Sequence, residues 1–345
     1  MGHTRVKSTP PTDFRKISFT VQVGDVTTFD ADVLALKFAQ ALFGADRAVA
    51  TALGKNENQI MESLPLSGEF HLFSTRGRIR AKHVLFLNVG YLYDFGYEEI
   101  REFAAGVLRA LAGAVPYTRH LAMTIHGVGY GLDEAEALRS QLAGCLDAFD
   151  SDGYPSALER ITIVERNPGR AQRLRVVLND AIPGNVVVLP EATEPLTHPQ
   201  AIERSPLTSN VGRESATKPH VFVAMPFTEE MDDVYYYGIQ APINAAGYLC
   251  ERADLTPFTG DILDRIKARI ETASLVIAEL STANPNVFLE VGYAWGKERP
   301  TILLVRDAEK LPFDVRGQRC LVYRRIRDLE EALAKELQGL KENIA

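Results

Sequence analysis

The sequence predicts an α/β protein of two domains. Strand-like and helix-like stretches alternate through both halves of its 345 residues. Between the halves, a stretch rich in Pro, Ser, Thr and Glu loses apolar periodicity. The second half alternates regularly enough to imply a doubly wound parallel sheet.

These boundaries follow: a tail over residues 1–14, a first domain over 15–182, a linker over 183–217 and a second domain over 218–345. In the first domain, residues 17–23 alternate apolar and polar side chains, and 33–38, 84–89, 120–125 and 160–165 are short apolar strand candidates. Residues 100–114 and 132–149 have helical period, so this half is a mixed sheet covered by helices. In the second domain the expected strands are 220–224, 249–253, 275–279, 301–305 and 320–323. Helices are expected over 234–246, 262–273, 286–297 and 329–340.

Composition excludes several classes. With 46% hydrophobic and 24% charged residues, the chain reads as a soluble globular protein. No apolar run reaches the roughly 18 residues of a membrane span, and the opening MGHTRVKSTPPTDF lacks the apolar core of a secretory signal. A net charge of -7 argues against a broad grip on nucleic acid, and the basic run 316–327 reads as a solvated strand edge. Cys145, Cys250 and Cys320 form no CxxC pair or disulfide framework, which fits a reducing cytoplasm. The histidines are scattered, so no metal is expected.

The most informative stretch is residues 275–295, LVIAELSTANPNVFLEVGYAW. It reads as a buried strand, a polar turn and an amphipathic helix. Pro285 suits a first helical position, with Asn284 as N-cap. Val287, Val291 and Ala294 mark the core side; Asn286 and Glu290, four apart, are expected to share another face with Tyr293. That face can look into the crevice at the strand ends, where open α/β sheets bind ligands. A carboxylate there can stabilise an oxocarbenium-like transition state or attack the sugar carbon. An exposed helical Glu with no role is the competing reading, as is core or interface packing for Tyr235, Tyr236 and Tyr237.

This stretch resembles the nucleoside 2-deoxyribosyltransferase and TIR-like superfamily. The superfamily's Asp-Leu-Thr, Asn-Pro-Asn-Val and Glu-x-Gly-x-Ala stand here as Glu279-Leu280-Ser281, Asn284-Pro285-Asn286-Val287 and Glu290-Val291-Gly292-Tyr293-Ala294. VFVAMPF at 221–227, Glu251-Arg252-Ala253-Asp254 and LPFDVR at 311–316 extend the similarity over about residues 218–340. The resemblance implies N-glycosidic cleavage with Glu290 as the catalytic carboxylate and Asn286 and Glu279 beside it. It implies that Met225, Pro226 and Phe227 wall a base pocket and that Asp254, Ser281 and Asn284 contact substrate. Two departures are Glu279, where relatives carry Asp, and Ser274, where they often carry Asp.

Residues 21–36, VQVGDVTTFDADVLAL, and 126–131, HGVGYG, resemble a divergent macro domain. Glycine amides before a helix suit a phosphate. The resemblance implies a nucleotide-sensing domain with Asp25 on an adenine-like donor and Gly127, Gly129 and Gly131 on phosphate. Together the two likenesses imply a cytoplasmic bacterial antiphage effector that hydrolyses NAD, as substrate rather than cofactor, to nicotinamide and ADP-ribose when a nucleotide-derived signal binds. A homo-oligomer is expected. Two alternatives stay open: a deoxynucleotide or nucleoside N-glycosidase or deoxyribosyltransferase, and a non-catalytic nucleotide-binding sensor.

Overall fold

The computed structural model describes residues 14–64, 66–190, 210–253, 260–307, 315, 318 and 320–344. The chain divides into two compact units. The first comprises Met1–Leu92, Arg101–Ile125 and Leu138–Val211; the second comprises Tyr93–Ile100, His126–Ala137 and Gly212–Ala345.

In chain order the first half holds β1 (Phe14–Val23), β2 (Val33–Phe38), α1 (Gly44–Ala52), α2 (Glu57–Ser63), β3 (Phe70–Ser74), β4 (His83–Asn88), α3 (Tyr97–Ala114), β5 (His120–Met123), β6 (Tyr130–Gly131), α4 (Glu134–Asp150), β7 (Arg160–Glu165), α5 (Pro168–Ala181) and β8 (Val186–Pro190). The first unit is built on a mixed sheet ordered β3-β4-β2-β5-β7-β1-β8. Its two outer pairs, β3 with β4 and β8 with β1, are antiparallel; the rest are parallel. Alternation sorts the side chains. Ile17, Phe19, Val21, Leu121 and Ile163 pack on one face with Phe103, Leu142 and Leu174. Leu34, Leu36, Val84 and Phe86 pack on the other with Val49 and Ile60. All six residues of β2 are buried, as a strand covered on both faces requires.

The expected linker begins too early. Residues 186–190 form β8, with Ser18 opposite Val186 and Phe14 opposite Pro190. A Val-Val-Val run supplies the β propensity there, and the Pro- and Thr-rich text starts only after it. Residues 191–209 and 1–13 lie outside the described residues, while Phe14, placed in the tail, already belongs to β1.

The second unit holds β9 (His220–Ala224), a helical stretch α6 over residues 229–245, β10 (Leu249–Ala253), α7 (Gly260–Thr272), β11 (Leu275–Glu279), α8 (Pro285–Gly296), β12 (Thr301–Val305), β13 (Cys320–Val322) and α9 (Ile326–Ile344). Its sheet is ordered β13-β12-β11-β9-β10-β6, with β6 antiparallel and the other five strands parallel. Counted from β9, the parallel order is 2-1-3-4-5, so the order reverses between β9 and β11. Ligand crevices open at that point, outside the carboxyl ends of the strands. Val221, Val223 and Ile277 pack on one face with Ile239, Leu329 and Leu333; Phe222, Val276 and Ala278 pack on the other with Ile266, Ile270, Val287 and Val291.

Helix α6 widens to π geometry over Val234–Gln240. Pro242 lies one turn on, lacking an N–H and crowding the carbonyl four residues back, which a wider turn relieves. Tyr235 is buried in the core and Tyr237 is exposed. Tyr236 packs against the same core, its ring 4.9 Å from that of Tyr235.

The segments contributed by residues 93–100 and 126–137 bring a buried polar network. Gly131 and Tyr130 pair with Arg252 and Ala253 of β10. The Tyr97 hydroxyl donates to Glu251 Oε1 at 2.9 Å and accepts the Asp133 N–H at 2.8 Å. Asp133 Oδ1 accepts the amides of Ala135 and Glu136 at the start of α4, and Oδ2 accepts the Cys250 amide at 3.1 Å. Arg269 Nε closes on Glu251 Oε2 at 2.6 Å. Burial pushes the Asp133 carboxyl up to about 6 despite these amides.

Within the first unit, α3 and α4 touch at a glycine. A Cβ on Gly144 would stand 2.0 Å from the Arg101 carbonyl oxygen. Gly144→Ala is therefore expected to cost about 3 kcal/mol through overpacking. A urea midpoint equal to that of wild type would contradict this close approach.

Candidate active site

The carboxyl ends of β9 and β11 bound the crevice of the second unit, and the turn after β11 delivers α8 beside it. Ala283 takes a positive φ of 48° there. The Asn284 side chain then accepts the Asn286 amide at 2.9 Å, which caps the helix as its Asn-Pro start foretells.

Helix α8 carries Glu290, which is 7% exposed. Among the described residues its carboxyl has no hydrogen-bond or ion-pair partner. Burial alone raises its pKa from the ordinary 4.5 to about 8. Asn286, by contrast, is exposed. The expectation that these two share one face away from the core needs correcting. Glu290 follows Val287 by three and precedes Ala294 by four, so it rides the edge of the apolar stripe, while Asn286 in the first turn faces out.

Glu279 ends β11 and is fully buried. It takes the parity of Leu275 and Ile277, whose side chains pack with those of α6 and α9. Helix α8 packs on the opposite face. The two carboxyls thus leave the sheet on opposite sides. Glu279 Oε1 accepts the Tyr323 hydroxyl at 2.9 Å and the Ser281 hydroxyl, and the Ser281 amide lies 3.3 Å from both oxygens. The Ser281 oxygen accepts the Arg306 amide at 2.9 Å. Burial, and then the Glu279 charge, raise the Tyr323 hydroxyl to about 12. Ser281 and Glu279 are thereby committed to tying the ends of β11, β12 and β13 together.

At the end of β9, Met225 is packed into the core. Pro226 is also buried, and Phe227 is 41% exposed. The residue that sequence reasoning misses is Arg252. Its guanidinium lies 3.7 Å from the Phe227 ring centroid and 4.6 Å from that of Tyr235, and it donates to the Pro226 carbonyl at 2.8 Å. A cation is therefore stacked between aromatics beside the crevice. Its signal lay in an Arg and an aromatic at the ends of two adjacent parallel strands. Asp254 lies outside the described residues.

The residues expected to bind a signal belong to different units. Asp25 is in the first unit, where Oδ1 accepts the Thr27 amide at 2.9 Å and the Thr27 hydroxyl at 2.6 Å. These bonds, hydroxyl first, hold its carboxyl below the usual range. Gly127, Gly129 and Gly131 group with the second unit. Gly127 and Gly131 have positive φ, and a Cβ at Gly127 would meet Leu132 at 2.5 Å. The Gly131 amide closes on the Val128 carbonyl, and Gly131 pairs with Arg252 at the sheet edge. No group of His, Cys, Asp and Glu among the described residues could hold a metal, and no helix among them is long and apolar enough to cross a membrane.

No family model matches the chain, and no curated protein matches it. Among solved structures, it is similar to an Oceanobacillus iheyensis macrodomain with MES bound at 17% identity and a TM-score of 0.38, covering 49% of this chain and 97% of that one. A Trypanosoma brucei macrodomain in complex with ADP-ribose is similar at 16% identity and a TM-score of 0.36, covering 45% of this chain and 66% of that one. A Clostridium botulinum CMP N-glycosidase is similar at 19% identity and a TM-score of 0.28, covering 36% of this chain and 98% of that one.

Glu290 holds its proton more tightly folded than unfolded, so unfolding releases a proton between pH 4.5 and about 8. Stability must fall as pH rises through that window, by at most about 1.4 kcal/mol per unit. Glu290→Gln removes the effect. Its melting temperature is expected to pull ahead of wild type steadily from pH 5 to 8. A gap that does not change with pH would mean that Glu290 is not held neutral by burial.

Proposed function

We propose that the second unit is an N-glycosidase that hydrolyses NAD to nicotinamide and ADP-ribose, with Glu290 as the working carboxylate. The observation that carries this reading is a buried carboxyl without a hydrogen-bond or ion-pair partner among the described residues, on the helix after β11, a strand that borders the strand-order reversal. Such a group is costly to keep and marks a site of chemistry more often than of packing.

Burial alone keeps the carboxyl neutral at pH 7. The nicotinamide ring of NAD is a permanent cation, and its arrival favours the carboxylate. When the C1′–N bond breaks, its electron pair returns to nicotinamide, which leaves neutral. Positive charge passes to the ribose, where the Glu290 carboxylate stabilises it. Water adds at C1′ and gives up one proton. Glu279 is a positioning residue in this scheme, holding the strand ends through Ser281 and Tyr323. Phe227 backed by Arg252 offers a surface for the base, and Asn286 and Asn284 stand at the helix start for the sugar. The first unit serves as a sensor for a nucleotide-derived signal, and the active form is a homo-oligomer in antiphage defence.

The neutral carboxyl favours one second reading. A protonated Glu290 suits donation to the base of a deoxynucleotide, whose leaving group needs a proton.

Purified protein should consume NAD and release nicotinamide, and Glu290→Gln should lower kcat/KM by about 10³ or more. For NAD, kcat/KM should rise with pH to about 8 and then level. Turnover of a deoxynucleotide, with kcat/KM falling above about 8, would transfer the assignment to the acid mechanism. Loss of neither substrate would leave a nucleotide-binding module.

A further inference from the structure

The first unit contains a polar cavity, and assigning it a ligand rests on reading that unit as a sensor. It has a volume of about 430 Å³ and is lined by Gln22, Phe29, Asp30, Lys82, His120 and Arg160, with Asp32 among them. Asp25 is not in its wall.

The cavity exists because one face of the sheet changes character. Over β2 and β4 that face is apolar and covered by α1 and α2. On β1, β7 and β5 the same parity presents Ser18, Thr20, Gln22, Arg160, Thr162 and His120. These hydroxyls are wired across the strands. His120 Nε2 lies 2.8 Å from the Thr162 Oγ1, which lies 3.0 Å from the Thr20 Oγ1. The cover is the crossing from β1 to β2, with the Phe29 ring 6.0 Å from that of His120.

Some of the lining is already spent. Asp32 accepts Lys82 Nζ at 2.7 Å and the amides of Arg119 and His120 at 2.9 Å each. Burial, reinforced by the Arg160 charge, lowers the His120 pKa. What remains is specific. Among the described residues the Arg160 guanidinium, the Asp30 carboxylate and the Gln22 amide have no hydrogen-bond or ion-pair partner. One cation, one carboxylate, one amide and one half-buried ring stand around a space of ligand size.

We infer that this cavity binds a small ring compound carrying one anionic group and an amino donor, of the kind a nucleoside monophosphate represents. Arg160 takes the anion through charge-assisted hydrogen bonds. Phe29 contacts the flat ring, and Asp30 and Gln22 read its exocyclic donors and acceptors.

The test is calorimetric titration of the full chain carrying Glu290→Gln, which prevents turnover, with 5′-AMP, adenosine and inorganic phosphate. AMP should bind at least about ten-fold more tightly than adenosine or phosphate. Adding Arg160→Gln should bring AMP down to the level of adenosine. Adding Phe29→Ala should weaken AMP and adenosine and leave phosphate unchanged. Arg160 is exposed, and an unchanged melting temperature will verify that its variant folds. Photolabelling with 8-azido-AMP should mark the peptide containing Phe29. Absence of AMP binding, binding indifferent to Arg160→Gln and Phe29→Ala, or labelling confined to the second unit would each overturn the inference. AMP binding by calorimetry and NAD consumption are separate readouts, so this site and the Glu290 assignment can fail separately.

Discussion

Strand β9 has no exposed residue, and most of the second unit follows from that constraint. Its neighbours β10 and β11 run parallel to it, so neither can be reached by a tight hairpin. Each return needs a crossover, and the one from β9 out to β10 and the one from β10 back across to β11 run in opposite directions, which puts their helices on opposite faces of the sheet. The apolar side chains of β9 then have partners on both sides. The same geometry opens a gap where the two crossovers part. Met225, Phe227 and Ser281 sit within a few positions of a strand end, and Glu290 lies further along the chain, on α8.

The gap is furnished at a cost. Glu279 is buried but well supplied with donors, so its carboxylate adds to the cohesion of three strand ends. Glu290 is buried without a partner among the described residues and is neutral because ionising it there is expensive. The two acids show how burial alone does not define a role; the supply of hydrogen-bond donors does. Arg252 illustrates the same point for a cation. Its guanidinium lies against two aromatic faces and donates to a carbonyl.

Much of this was legible in the sequence, for physical reasons that also set the limit. Strands β9, β11 and β12 are apolar runs in a covered sheet and have the bounds that their patterning implies. The start of α8 is written in Asn284-Pro285. Asn167-Pro168 carries the same signal for α5, but the apolar residues behind it are sparse. Strand β6 could not be read at all, because two residues have no periodicity and their partner lies about 120 positions away. Glu290 was legible as a carboxyl in a telling motif; its burial was not, because the edge of an apolar stripe depends on what packs against it. The Arg252 sandwich needed the adjacency of β9 and β10, which is tertiary information.

The composition of the second unit has a consequence for how such a chain can change. Tyr97, Gly131 and Asp133 come from the first 140 residues, yet they satisfy Glu251, Arg252 and Cys250. A gene segment encoding only residues 212–345 would carry a sheet edge and two buried acceptors or donors stripped of their partners. The two halves are therefore not interchangeable cassettes. Recombination at the apparent seam near residue 200 would move an incomplete fold, so the pair is expected to have been inherited and to diverge together.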